Sequence, residues 1–296
     1  MYLLLREEIR MRFALPVFVR ILCLLLLFYV SCFADPVGSI FVTGHDPDFH
    51  GQDSIGLPHG AAHLLQVGMD FVRNGRSGKF LLVGGLPGCL TDACAPAGHF
   101  NPVQTLNELG LVTGTDFDIA TAVDIPAAAL DSYAFVMVES DFGGLLTADA
   151  LHNLALRSAD IAAYLNSGGG VFAMAESGSG SGAFATDPAE RFGFLPTVLS
   201  SATLNQSESG FNLTAFGSTL GLDGADINGD FSHNIFTDTA GLDVVDRDSA
   251  GHIITLAGRV SAPATSVPEP NLSALLAIMA LVFCRRAHKK TPKPNL

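Results

Sequence analysis

The run Val171-Phe172-Ala173-Met174-Ala175 constrains the fold more than any other segment. Side chains alternate across a strand, and this run is apolar at both parities, so both of its faces must be covered. The stretch before it has helical periodicity. Thr147 can cap a helix running to Asn166 that turns Leu151, Leu154, Ile161, Ala162 and Leu165 inward, and Asn166-Ser167-Gly168-Gly169 stops it. A helix feeding a strand buried on both sides is the repeating unit of a parallel sheet held between helix layers. The alternation recurs upstream: a strand at Ser39–Val42, a helix over about Ala61–Arg73 burying Ala61, Leu64, Leu65, Gly68 and Val72, and a strand at Lys79–Val83. A short helix at Pro102–Leu109 and strands at Phe117–Ala120 and Tyr133–Val138 continue it. The prediction is an α/β domain over residues 35–266, built on a doubly wound, mostly parallel sheet and large enough to bury one core.

The two ends follow a different logic. From Met1, or from a second start at Met11, the chain reads as a signal peptide through residue 34. Arg12 and Arg20 are its basic part, Ile21–Val30 a ten-residue apolar part, and Ser31-Cys32-Phe33-Ala34 a cleavage site before Asp35. Ten apolar residues are too few to span a bilayer. Cys32 as a lipidated cysteine is the alternative, opposed by Tyr29 three residues earlier. At the other end Val267-Pro268-Glu269-Pro270 precedes an apolar stretch, Leu272–Cys284, which as a helix covers only about 20 Å of a roughly 30 Å hydrocarbon core. Arg285-Arg286 and Lys289-Lys290 follow, a cluster that stays cytoplasmic.

In that order and position these three parts resemble the PEP-CTERM signal of exosortase substrates. The resemblance implies processing by signal peptidase and exosortase, a transient inner-membrane tether, and delivery to the outer surface or extracellular matrix, often alongside exopolysaccharide. An ordinary C-terminal membrane anchor is the alternative.

Charge and cysteine content agree with export. Of 16 Lys and Arg only 7 lie between residues 35 and 284, against 27 of the 29 Asp and Glu, a net charge of −20. Such a surface repels phosphate backbones and anionic lipid, which excludes nucleic acid as a partner and favours cations or neutral and basic polymers. Cys89 and Cys94, in a Gly/Pro-rich loop, are expected to form one small disulfide; a two-ligand metal clip is the alternative, with no second Cys pair to complete it.

From Asp131 to Ser177 the order of features resembles the class I glutamine amidotransferase-like fold, a flavodoxin-like arrangement, and within it the ThuA-like branch. Leu130-Asp131-Ser132-Tyr133 enters a strand, Glu139-Ser140-Asp141 leaves it, and Leu146-Thr147 opens a helix. Ala163-Tyr164-Leu165-Asn166-Ser167-Gly168-Gly169-Gly170-Val171 then passes into the next strand. Ser232-His233-Asn234-Ile235 and Gly258-Arg259-Val260 echo the same branch faintly. Amidotransferases carry a nucleophilic Cys after the strand corresponding to Val171–Ala175. Here the turn reads Glu176-Ser177-Gly178, with neither a Cys nor a G-x-S-x-G elbow, so acyl transfer by Cys is excluded.

Open parallel sheets bind ligands at the carboxyl ends of their strands. That rule gathers His45, Asp46, Asp48 and His50 from the first strand, Glu139, Ser140 and Asp141 from the strand before the 147 helix, Glu176 and Ser177 from the one after it, and His233 from further on. Histidines and carboxylates on one edge can ligate a divalent metal or act as acid and base. Against this, Asp-Pro turns use Asp for local hydrogen bonds, and Asp141 can simply open the Gly143-Gly144 turn. The sharpest expectation pairs His45 or His50 with Glu176 or Asp141. Asp223-Gly-Ala-Asp226-Ile-Asn228-Gly-Asp230 has the oxygen spacing of a calcium loop without its Gly or closing Glu. Two functions compete: a non-catalytic surface domain binding a small molecule, glycan or matrix component, and a secreted hydrolase, metal-assisted or carboxylate-driven, acting on saccharides. The second leans on the ThuA-like resemblance and its link to sugar metabolism.

Overall fold

The computed structural model describes residues 38–51, 60–84, 102–141, 146–174, 191–204, 210–229 and 232–260. The signal peptide, Cys89 and Cys94, Glu176, Ser177 and the sorting tail lie outside them. The chain divides into one unit ending at Ser261 and a second, Ala262–Leu296, which is also outside the described residues.

Five strands form a parallel run: β1 (Gly38–Thr43), β2 (Phe80–Val83), β3 (Phe117–Ala120), β4 (Val136–Val138) and β5 (Gly170–Ala173), in the spatial order β3-β2-β4-β5-β1. The apolar runs read from sequence are these strands, and β1, β2, β4 and β5 are buried along their whole length. Period-two alternation splits them between two layers. Ile40, Val42, Leu81, Val83, Val136, Val138 and Val171 face one core, while Phe41, Phe80, Leu82, Met137 and Phe172 face the other. Helix α1 (Gly60–Arg73) and helix α2 (Pro102–Glu108) cover the second face through Leu64, Leu65, Val72, Val103 and Leu106. Two 3-10 turns (Ile125–Ala127, Leu130–Ser132) and helices α3 (Ala148–Ala155) and α4 (Ser158–Asn166) cover the first. Leftward crossovers thus use one face and rightward ones the other, as right-handed βαβ connections require. Helices thus cover both faces of the parallel run.

The stretch expected as one helix from Thr147 to Asn166 is two. Thr147 caps α3 as anticipated, its Oγ1 accepting from Ala150 N at 3.1 Å. At the joint Arg157 leaves helical geometry (φ −101, ψ 17), and its guanidinium donates to the carbonyls of Ile125 (2.8 Å) and Ala128 (2.6 Å). The second helix is thereby re-aimed, so that Tyr164 is buried beside Ile161 and Leu165 while Ala162 is only partly covered.

The sheet does not end at β1. Strand β10 (Ile253–Val260) pairs antiparallel with β1 over six residues, Gly38 opposite Val260 through Thr43 opposite Thr255. Beyond it lie β8 (Asn234–Phe236) and β6 (Ser201–Thr203), and β9 (Asp243–Arg247) joins β10 to β7 (Asn212–Leu213), making a ten-stranded mixed sheet. This antiparallel half was not expected from sequence. Two short helices, α5 (Ala215–Thr219) and α6 (Gly224–Asn228), complete it. The calcium-loop spacing falls on α6 and serves helix capping instead. Asp223 Oδ1 accepts from Ala225 N and Asp226 N, and Asp226 Oδ2 accepts from Asp223 N at 2.7 Å. No described helix is long and apolar enough to cross a membrane.

Candidate functional site

A parallel sheet bound by helices on opposite faces opens a crevice wherever neighbouring strands hand their connections to opposite layers. Among the described connections, those leaving β2 and β4, neighbours in the middle of the run, pass to opposite layers. The segments leaving β1 and β4 meet across the end of β5. Asp48 Oδ2 accepts from Ser140 N at 2.9 Å, and the Asp48 carbonyl accepts from Thr105 Oγ1 at 2.7 Å. Glu139 is buried beside Gly84, whose φ of +139° favours glycine and where a Cβ would overlap the Glu139 carboxylate. Asp141 is buried on the same edge.

The turn after β1 is local in origin. Amides of Phe49 and His50 donate to the Asp46 carbonyl at 2.9 and 3.2 Å, folding Asp46–His50 back on itself around Pro47. His45, Asp46 and Asp48 are thereby wholly buried, and the His50 side chain is 16% exposed. His45 and Asp46 have partners in the antiparallel half. His45 Nε2 lies 3.2 Å from Asp246 Oδ2, its ring edge-on to Phe211 with centroids 4.8 Å apart. His233 Nε2 lies 3.0 Å from Asp46 Oδ2, with His50 Nε2 3.8 Å from the same oxygen. Backbone joins the same segments: His45 bridges Ser232, and His233 N donates to the Gly44 carbonyl at 2.7 Å. Gly44 must be glycine, because a Cβ there would overlap the Asn234 carbonyl oxygen.

Six of the eight ligand or metal candidates read from sequence (His45, Asp46, Asp48, His50, Asp141 and His233) therefore stand on one edge, and Glu176 and Ser177 lie outside the described residues. The described ion pairs of His45, His50 and His233 are with Asp246 and Asp46. Asp246 and Ser232 are additions. Asp246 carried a readable signal, an acid following Val244-Val245 in a strand, and Ser232 carried none beyond its neighbour His233. Cavities of about 480 Å³ beside Arg191 and Thr197 and about 320 Å³ beside Leu130 and Tyr164 contain none of these residues.

The electrostatics are unusual in one group. Burial pushes the Asp48 carboxyl up to about 6, opposed by hydrogen bonds from Ser140. A carboxyl there exchanges its proton near neutral pH, as a general acid or base must. Among the described residues, no three His, Cys, Asp or Glu side chains are disposed to hold a metal ion. No family model, curated protein or solved structure matches the chain.

Proposed function

We propose that the chain is an exported, exosortase-sorted surface or matrix-associated protein whose α/β domain is a non-catalytic binding module for a small molecule, glycan or matrix component. One observation carries the binding half of this reading: buried polar groups from β1, β4 and the antiparallel half converge at the carboxyl edge of the parallel run, where such sheets take ligands. The finer fold assignment belongs to the same proposal. The order β3-β2-β4-β5-β1 becomes the flavodoxin-like order 2-1-3-4-5 when β1 is counted as the fifth strand. The turn Glu176-Ser177-Gly178 offers no Cys nucleophile, which supports binding over acyl transfer.

The sorting half rests on the Val267–Pro270, Leu272–Cys284 and Arg285-Arg286 arrangement. Intact-mass analysis of protein extracted from the cell surface tests it. The mature chain should start near Asp35 and lack the Arg285–Lys293 cluster. Retention of that cluster on inner-membrane protein would leave an ordinary anchor.

A carboxylate-driven saccharide hydrolase is the second reading, favoured by the raised Asp48 carboxyl alone. Release of reducing ends from a polysaccharide panel, abolished by Asp48→Asn, would establish it in place of the first.

A further inference from the structure

The cavity of about 480 Å³ lies beside β6, the strand that ends the sheet, and contains none of the candidate-edge residues. Its volume falls within the range of small-molecule pockets. It forms where the chain enters β6. Phe192 adopts φ +54°, uncommon for an aromatic residue, and packs its buried ring against Phe236 with centroids 5.1 Å apart. Arg191, just before it, reaches β6, where its Nη1 donates to Thr203 Oγ1 at 3.0 Å. Leu195 and Leu199 give the cavity buried apolar lining, and Thr197 and Ser201 add hydroxyls. Gly193, Val198 and Ser200 also line it and are exposed, Val198 by 84%, so the cavity opens to solvent.

Two observations give this cavity its sign. Lys79 and Arg157 are paired with carboxylates, whereas the described bond of Arg191 is to a neutral hydroxyl, and no carboxylate lines the cavity among the described residues. In addition, Arg191 Nε is a buried donor with no hydrogen-bond partner among the described residues. Buried polar atoms in folded proteins are nearly always bonded, and each exception calls for an explanation. With Nη1 held by Thr203, the guanidinium still has Nε–H to give. A carboxylate matches that planar fork, because its two oxygens accept two parallel N–H bonds. The net charge of −20 between residues 35 and 284 repels anions at a distance. Salt screens that repulsion beyond about 8 Å, so at contact the guanidinium decides. Inorganic phosphate would bring more charge and nothing to cover Leu195 and Leu199. A carboxylate on a carbon ring brings one charge and a body for both.

Independently of the candidate edge, we propose that this cavity is a second binding site, for a small ring-bearing monocarboxylate whose carboxylate pairs with Arg191 and whose ring lies against Leu195 and Leu199. The ring can be aromatic or that of a sugar acid, and the probes separate the two. Nuclear magnetic resonance titration of the isotope-labelled full chain at about pH 7, where carboxylates are ionised, uses benzoate and glucuronate with their neutral counterparts benzamide and glucose. At least one acid should bind about ten-fold or more tightly than its counterpart and shift the amides of Gly193 and Val198–Ser201. The tighter acid identifies the ring. Arg191→Gln should weaken that acid by about ten-fold or more, and Arg191→Lys by less, since it keeps the charge and loses the fork. Val198→Glu, at an exposed position that leaves the fold undisturbed, sets a like charge at the mouth and should weaken it several-fold. Arg247→Gln, whose guanidinium donates to the Gly251 carbonyl elsewhere, should change nothing. Val198→Glu carries the test if Arg191→Gln does not fold. Neutral counterparts binding as tightly as both acids overturn the carboxylate assignment, as does inorganic phosphate binding more tightly than either acid. No shift at Gly193 or Val198–Ser201 with either acid overturns the site itself. Each of these failures leaves the reading of the candidate edge standing, because none of its residues lines the cavity.

Discussion

The two halves of the sheet are held by different forces. In the parallel run, β1, β2, β4 and β5 are sealed between two apolar layers, and Phe80 stacks between Phe117 and Phe135 at centroid distances of 5.2 and 4.6 Å. In the antiparallel half β6 and β7 are partly exposed, and the joint to β1 is strongly polar at the carboxyl edge. There Thr43 Oγ1 meets Thr255 Oγ1 at 2.8 Å, His45 meets Asp246, and His233 meets Asp46. Apolar burial is non-directional and tolerates adjustment, whereas buried polar pairs are strong only when satisfied and fix a geometry. The lower-tolerance material thus sits where the candidate site is. The same side chains that brace one half against the other are those offered to a ligand.

The largest expected effect breaks the joint itself. Gly44→Ala places a methyl group on the Asn234 carbonyl, which belongs to the antiparallel half and cannot retreat without breaking the His233–Gly44 backbone bond. A loss above about 4 kcal/mol in urea unfolding is expected, in the range reserved for such overlaps. Hydrogen exchange should rise first in β8–β10, with α1 and β2 still protected. Equal loss of protection in both halves would show that they unfold as one unit.

Asp48→Asn addresses the joint between β1 and β4 within the parallel run. Because the folded-state pKa is raised from 3.8 to about 6, the native chain holds the proton more tightly than the unfolded chain. Its contribution is therefore most favourable below about pH 4, declines as pH rises toward about 6, and is a full penalty above that. A shift of this size corresponds to about 3 kcal/mol. The stability of Asp48→Asn relative to the parent should improve by about that amount between pH 4 and pH 7, since the amide cannot ionise. A difference that stays flat with pH would show that water or another donor already compensates the charge.

Ion pairs sharpen the contrast further. A double-mutant cycle on His45 and Asp246, both wholly buried, should give a coupling of about 2 kcal/mol. The exposed Lys79–Asp118 pair of the parallel run, at 3.0 Å, should give well under about 1 kcal/mol.

What was legible in sequence follows the same division. Strands such as Val171–Ala175 and helices such as Ala61–Arg73 announce themselves because burial on both faces, or along one stripe, leaves a periodic trace. The candidate edge was partly legible because strand ends in a parallel sheet collect polar residues by rule, which placed His45, Asp46, Asp48, Asp141 and His233 together. The antiparallel half was not. Strands of two or three residues such as Asn212–Leu213 are too short for any period, and their partners are set by contacts distant in sequence. Asp246 itself left a trace in the five-residue strand β9, but its pairing with His45, 201 positions away, is set by contacts distant in sequence.

Helix caps give the smallest test. Thr147 caps α3 with one bond, Ala150 N to Oγ1 at 3.1 Å, and does nothing else described. Thr214 caps α5 in the same way, accepting from Gly217 N at 3.1 Å, but its hydroxyl also donates to the Val244 carbonyl at 2.5 Å on β9. Removing an N-cap side chain costs about 1 kcal/mol, so Thr147→Ala should lose about that much. Thr214→Ala loses the cap and leaves a carbonyl of β9 without its donor, adding about 1 kcal/mol. Thermal melts of the two variants should therefore differ by about 1 kcal/mol at the midpoint, with Thr214→Ala the less stable. Equal losses would mean that the Val244 carbonyl finds water, and that polar ties carry less of the antiparallel half than its geometry implies. A larger loss at Thr214 extends the rule seen at Gly44 and His45 to the periphery of that half, where even a capping hydroxyl bonds across elements.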